Sequence, residues 1–135
     1  MCIRDRGRAS LYTNTSGSNN IAVGNSALYS NTTASNNTAV GYQSLYANTT
    51  GAQNTAVGRL ALDANTTADA NTAIGNASMT ANTTGNNNVG TGNGTLRDNT
   101  TGNFNTSVGS DALQANTTAS YNLSLIHISE PTRPY

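Results

Sequence analysis

Asn37-Thr38-Ala39-Val40-Gly41, continuing through Ser44-Leu45-Tyr46-Ala47 to Asn48-Thr49-Thr50-Gly51, decides how this chain folds, because the pattern returns every seventeen residues. Its first asparagine recurs as Asn20, Asn54, Asn71, Asn88, Asn105 and Asn122, and the glycine four residues on as Gly24, Gly58, Gly75, Gly92 and Gly109. No insertion disturbs the phase between Gly7 and Asn122. An array that tolerates no slip reads as a solenoid, in which each unit is one turn of a coil and buries its apolar side only by stacking on its neighbours. The expected fold is all-β, a parallel β-solenoid with seventeen residues per turn. Function is then to be sought on a surface and not in a pocket.

Each unit offers two short strands. In the first, side chains alternate between faces. One face gives Ala22, Ala39, Ala56 and Ala73, continued by Gly90 and Ser107, always small enough for the inside of a narrow coil. The other gives Val23, Val40, Val57, Ile74 and Val108, an apolar stripe left outside and expected to be a partner surface, here the interface of a homo-oligomer. The second strand, such as Ser44-Leu45-Tyr46-Ala47, is expected to turn Leu28, Leu45, Leu62, Met79, Leu96 and Leu113 inward together with the Ala47 phase. On that reading Asp98, in the Ala47 phase, would point a carboxylate into the coil at a high cost, so it is expected to turn out of the core or be capped by neighbouring backbone N–H groups. With Gly90 and Thr91 replacing the usual Ala and Val, the rung beginning at Asn88 is expected to be the least regular, and restoring Ala at 90, Val at 91 and Ala at 98 to stabilise it. Gly24, Gly41, Gly58, Gly75, Gly92 and Gly109 are the expected turn residues, able to take positive φ. Asn-Thr-Thr supplies the other turn, and asparagines stacked at one phase can form amide ladders.

Asn, Thr, Gly, Ser and Ala dominate, a composition that in bulk would suggest disorder. Periodicity overrules it, since a disordered tract has no reason to hold Leu or Met at one phase in every unit. Gly7 to Asn122 (7–122) therefore reads as one repeat array, with 1–6 and 123–135 foreign to it. Met1 to Arg6 can be encoded ATG TGT ATA AGA GAC AGG, and the reverse complement of all but the last base reads in frame Leu-Ser-Leu-Ile-His, which is Leu123 to His127. Two such ends resemble a translated sequencing adapter, the transposase mosaic end, and are expected to lie outside the ladder.

Those flanks contain Cys2, His127, Glu130, Pro131 and Pro134, so the array itself has no Cys, His, Glu or Lys. It lacks the usual general bases and activated nucleophiles, and Asp63, Asp69, Asp98 and Asp111 fall at different phases. No catalytic residue, cofactor or metal ligand is assigned; the Gly-Gly-x-Gly-x-Asp calcium repeat is absent. Arg8, Arg59 and Arg97 nearly balance the aspartates, which argues against a nucleic-acid surface, and no apolar run in this fragment is long enough to insert into a membrane. The Asn-Thr-Thr triplets at Asn31, Asn48, Asn65, Asn82, Asn99 and Asn116 formally match the N-glycosylation acceptor, but their phase follows the turn. Tyr12, Tyr29 and Tyr46 share a phase in consecutive units, a stripe read as surface aromatics or as a ligand contact.

The units Asn37-Thr-Ala-Val-Gly41, Asn54-Thr-Ala-Val-Gly58 and Asn71-Thr-Ala-Ile-Gly75 resemble the head repeats of trimeric autotransporter adhesins, of the YadA-like or Hep/Hag type, and similar arrays in phage tail fibres. The resemblance spans Gly7 to Asn122. It implies a left-handed parallel β-roll, a homotrimer, and a non-enzymatic structural or adhesive role in attachment or display. The implied location is extracellular, on the bacterial outer membrane or a virion tail fibre, with a host-surface or matrix receptor as partner. The alternative is a monomeric ice-binding solenoid, which regular threonine ladders on a flat face would suit. Thr49 and Thr50 are adjacent, however, and in an extended strand would face opposite sides.

Overall fold

The computed structural model describes Ile3–Arg4 and residues 7–125. It is all-β among the described residues, with one short strand per turn: β1 (Ile3–Arg4), β2 (Ile21–Val23), β3 (Thr38–Val40), β4 (Thr55–Val57), β5 (Thr72–Ile74), β6 (Val89–Thr91), β7 (Thr106–Val108) and β8 (Leu123–Leu125). They form a single sheet in sequence order, every neighbour parallel. From β2 onward the register advances seventeen residues per turn, with Ala39 beside Ala56 and Val40 beside Val57. This is a parallel β-solenoid.

The outward and inward faces of the strand follow from the pleat. Ala22, Ala39, Ala56 and Ala73 are buried and pack against Leu28, Leu45, Leu62, Met79 and Leu96, which have no exposed surface; Leu113, near the last turn, is half-buried. Thr38 and Val40 flank Ala39 on the opposite face.

The second strand is not there. Gln43 and Leu45 have φ of 52° and 50°, and the same two phases are left-handed from Ala9 and Leu11 to Asp111 and Leu113. Neighbouring turns are nevertheless joined through this segment, as the Leu45 N–H donates to the Ala61 carbonyl at 3.0 Å and the Ala47 N–H to Asp63 at 2.9 Å. A left-handed residue breaks the two-residue alternation of an extended chain. Ser44 and Leu45, adjacent in sequence, are therefore both buried, while Ala47 is only half-buried. Asp98 is turned out of the core, the first of the two expected outcomes: its side chain is 44% exposed and pairs with Arg97 at 3.0 Å.

The left-handed conformation also explains a residue choice. A β-branched side chain is strongly disfavoured at positive φ, and among the described residues no non-glycine residue with positive φ is Val, Ile or Thr. The buried column there is Leu and Met, whereas the extended strands carry Val and Ile. Gly41 and its equivalents have φ between 117° and 140°, and a Cβ on Gly41 would be driven onto the Gly58 carbonyl of the next turn.

The ladder also runs past both boundaries set by the repeat. Leu123–Leu125 pairs in phase with Thr106–Val108, with Ser124 opposite Ser107. Ile3 pairs with Ile21, eighteen residues on, one more than separates Ile21 from Thr38. The open end of a parallel ladder presents unpaired N–H and C=O groups that will accept any short extended segment. The rest of the flanks, 1–2, 5–6 and 126–135, lies outside the described residues.

Candidate interaction surface

Two columns run along the outward face of the strands. One is Ile21, Thr38, Thr55, Thr72, Val89 and Thr106, paired residue to residue between turns; the other is Val23, Val40, Val57, Ile74, Thr91 and Val108. Val23, Ile74 and Val108 are each about two-fifths exposed, at 42%, 41% and 41%, and Val40 and Val57 are half-buried. The stripe named from the sequence therefore reaches solvent in every turn that carries it, partly covered at Val40 and Val57. Thr91 does not simply interrupt it, because Val89 stands beside it: this rung exchanges the threonine and the apolar residue between columns. From β3 to β7 every rung presents one threonine and one Val or Ile.

Two buried asparagine ladders brace the coil beneath this surface. Asn20, Asn37, Asn54, Asn71, Asn88 and Asn105 are buried. The Asn37 Nδ2 donates to the Gly51 carbonyl at 2.8 Å, and its Oδ1 accepts the Asn54 backbone N–H at 2.9 Å. The second ladder is made by the asparagines of Asn-Thr-Thr. Asn48 Nδ2 donates to Asn31 Oδ1 at 3.1 Å and to the Gly51 carbonyl at 2.9 Å, and Asn65 Nδ2 repeats this on Asn48 Oδ1 at 2.9 Å. In this second ladder each buried amide nitrogen spends both hydrogens inside the coil, which accounts for the apparent glycosylation triplets as architecture. The sequence showed these asparagines as invariant in phase but did not reveal that they are interior; two invariant Asn phases per unit were the signal.

The threonines of the triplet divide their labour. Thr49 Oγ1 donates to the Thr66 carbonyl at 3.0 Å, whereas Thr50 is exposed. They do not form a paired array of free hydroxyls.

Elsewhere, Tyr12, Tyr29 and Tyr46 stack in a column, with ring centroids 5.2 Å and 5.3 Å apart. Asp63 continues that column above Tyr46; desolvation raises its pKa above 3.8, against lowering contributions from its own and the Ala64 backbone N–H groups and from Arg59. Its Oδ1 is buried without a hydrogen-bond partner. Among the described residues no group of three or more His, Cys, Asp or Glu is placed to hold a metal ion, and no helix is long and apolar enough to cross a membrane.

No family model, curated protein or solved structure matches this chain. The surface has to be read from its own chemistry.

Proposed function

We propose that this array is a non-enzymatic structural and adhesive segment of a surface-exposed fibre, a trimeric bacterial adhesin or a phage tail fibre, whose chains associate as a homotrimer through the outward face of β2–β7. The observation that carries this reading is the Val23, Val40, Val57, Ile74 and Val108 column, apolar and open to solvent along a straight ladder. Contiguous exposed apolar surface of this kind marks a partner site, and a column repeated with the coil matches another copy of itself at every rung. Attachment through such a fibre is multivalent, with weak contacts added along its length. Sedimentation equilibrium tests the proposal: the folded chain should have three times its monomer mass, and Val40→Asp with Val57→Asp should abolish assembly. A fully folded monomer would refute it.

A monomeric ice-binding solenoid is the second reading. What favours it is not the Asn-Thr-Thr pair but Thr38, Thr55, Thr72 and Thr106, which line the same flat face beside the valines. The two readings compete for one surface. A monomer showing thermal hysteresis that Thr55→Leu removes would establish the second.

A further inference from the structure

Three of the chain's six tyrosines, Tyr12, Tyr29 and Tyr46, occupy one phase of consecutive turns. Their rings lie nearly parallel, at 7° and 19°, with centroids 5.2 Å and 5.3 Å apart, and Tyr12 is 69% exposed. Because the backbone repeats every seventeen residues, each ring is stacked on the ring of the next turn. We propose that this column is a site of oxidative cross-linking, in which neighbouring phenols couple into dityrosine and join successive turns of the coil.

The reaction needs a one-electron oxidant, such as a peroxidase with hydrogen peroxide or a photosensitiser with persulfate. Each phenol gives up one electron to the oxidant and its hydroxyl proton to solvent. The two tyrosyl radicals form a Cε–Cε bond, and the hydrogen on each coupled carbon moves to its oxygen, restoring both aromatic rings. The net loss is two electrons and two protons. The fold supplies the proximity that limits this coupling in solution, since the two rings are already neighbours with centroids 5.2 Å and 5.3 Å apart and need only a side-chain swing to meet. It would also give the array a covalent tie that it otherwise lacks, since the chain's one cysteine, Cys2, precedes the repeats.

Two of the other three tyrosines serve as controls. The Arg59 guanidinium lies over Tyr42, 5.9 Å from its centroid, and Tyr121 stacks on Phe104 at 5.1 Å, so among the described residues neither is stacked on a tyrosine. The experiment is brief photo-oxidation of the folded protein with a ruthenium sensitiser and persulfate, read by dityrosine fluorescence in the monomer band of a denaturing gel and by mass spectrometry of linked peptides from a pepsin digest. Linked pairs Tyr12–Tyr29 and Tyr29–Tyr46 are expected. Tyr29→Phe, which keeps the ring and the stack, should abolish the monomer-band signal, and Tyr42→Phe should leave it unchanged. Retention of the signal in Tyr29→Phe, its loss in Tyr42→Phe, or dityrosine formed only between chains would overturn the proposal. Circular dichroism of each variant confirms that the comparison is between folded proteins.

Discussion

Gly90 and Thr95 fill one volume between them: a Cβ built on Gly90 would lie 3.0 Å from Thr95 Oγ1 and 2.8 Å from Ser78 Oγ. Other turns place Ala or Ser where Gly90 stands, and Ala or Ser where Thr95 stands. The larger residue at 95 is accommodated by the smaller one at 90. Its hydroxyl joins a buried network, 2.8 Å from Ser78 Oγ, which also donates to the Gly90 carbonyl at 3.1 Å.

Gly90→Ala is therefore expected to destabilise the array, reversing what the repeat alone suggested. Overpacking a tight core costs about 1–3 kcal/mol, more than the ~0.4–1 kcal/mol returned by stiffening the unfolded chain. The double change Gly90→Ala with Thr95→Ala should restore or exceed the original thermal midpoint. Equal midpoints for the single variant and the parent would show that the cavity relaxes freely.

Asn54 is the residue of choice for testing the interior ladders. Its Nδ2 donates to the Ala68 carbonyl at 2.8 Å and its Oδ1 accepts the Asn71 N–H at 2.9 Å. Asn54→Ala leaves that N–H buried and unpaired, whereas the Ala68 carbonyl keeps Asn65 Nδ2 at 3.1 Å. The expected loss is about 1–3 kcal/mol from the orphaned donor. Exposed Thr67→Ala should change stability by less than about 0.5 kcal/mol. Urea unfolding of the two variants makes the comparison, and similar losses would count against a structural role for the ladder.

Gly41→Ala should be far more damaging than its size suggests. The residue has φ of 133°, outside the range open to L-residues, and the Gly58 carbonyl of the next turn occupies the space a Cβ needs. Loss of the cooperative transition, or failure to fold, is expected in a circular dichroism melt. A normal melt would mean that the turn can be rebuilt around the methyl group.

Asp63 gives the array a defined response to pH. Burial raises its folded-state pKa above 3.8, so the folded chain binds the proton more tightly than the unfolded one. The stability contributed by the protonated acid is fully present below that ordinary value and is lost as pH rises through the raised folded value. Asp63→Asn should raise the thermal midpoint at neutral pH, with the advantage shrinking as the pH falls through the raised folded value and gone below 3.8. A pH-independent difference between the two proteins would assign the effect to packing instead of charge.

The repeat phase made the solenoid, the inward Ala22 to Ala73 column, the buried Leu28 to Leu96 column and the glycine turns legible, because each is a stacking requirement imposed identically on every unit. What it concealed was backbone conformation between those points. An alternating pattern was applied to Ser44-Leu45-Tyr46-Ala47, yet Leu45 is left-handed, so Asp98 is exposed and not interior. The absence of β-branched residues from the Gln43 and Leu45 phases was the available sign. Gly90 looked like a weakness because a sequence compares it with alanines above and below, whereas its decisive neighbours, Ser78 and Thr95, lie across the coil. Leu123–Leu125 joined the ladder although its residues depart from the repeat pattern, since backbone pairing does not depend on side-chain identity.

The constant offset of the register, Ala22 to Ala39 to Ala56 to Ala73, makes the turn a unit of heredity as well as of structure. Deleting or duplicating any seventeen consecutive residues within the array rejoins a lower turn to an upper one with all columns still aligned. Slippage between near-identical coding repeats would then alter the array's length in steps of about 4.8 Å. A change of any other size would displace every asparagine, leucine and glycine beyond it, so this architecture permits variation in height while refusing variation in cross-section.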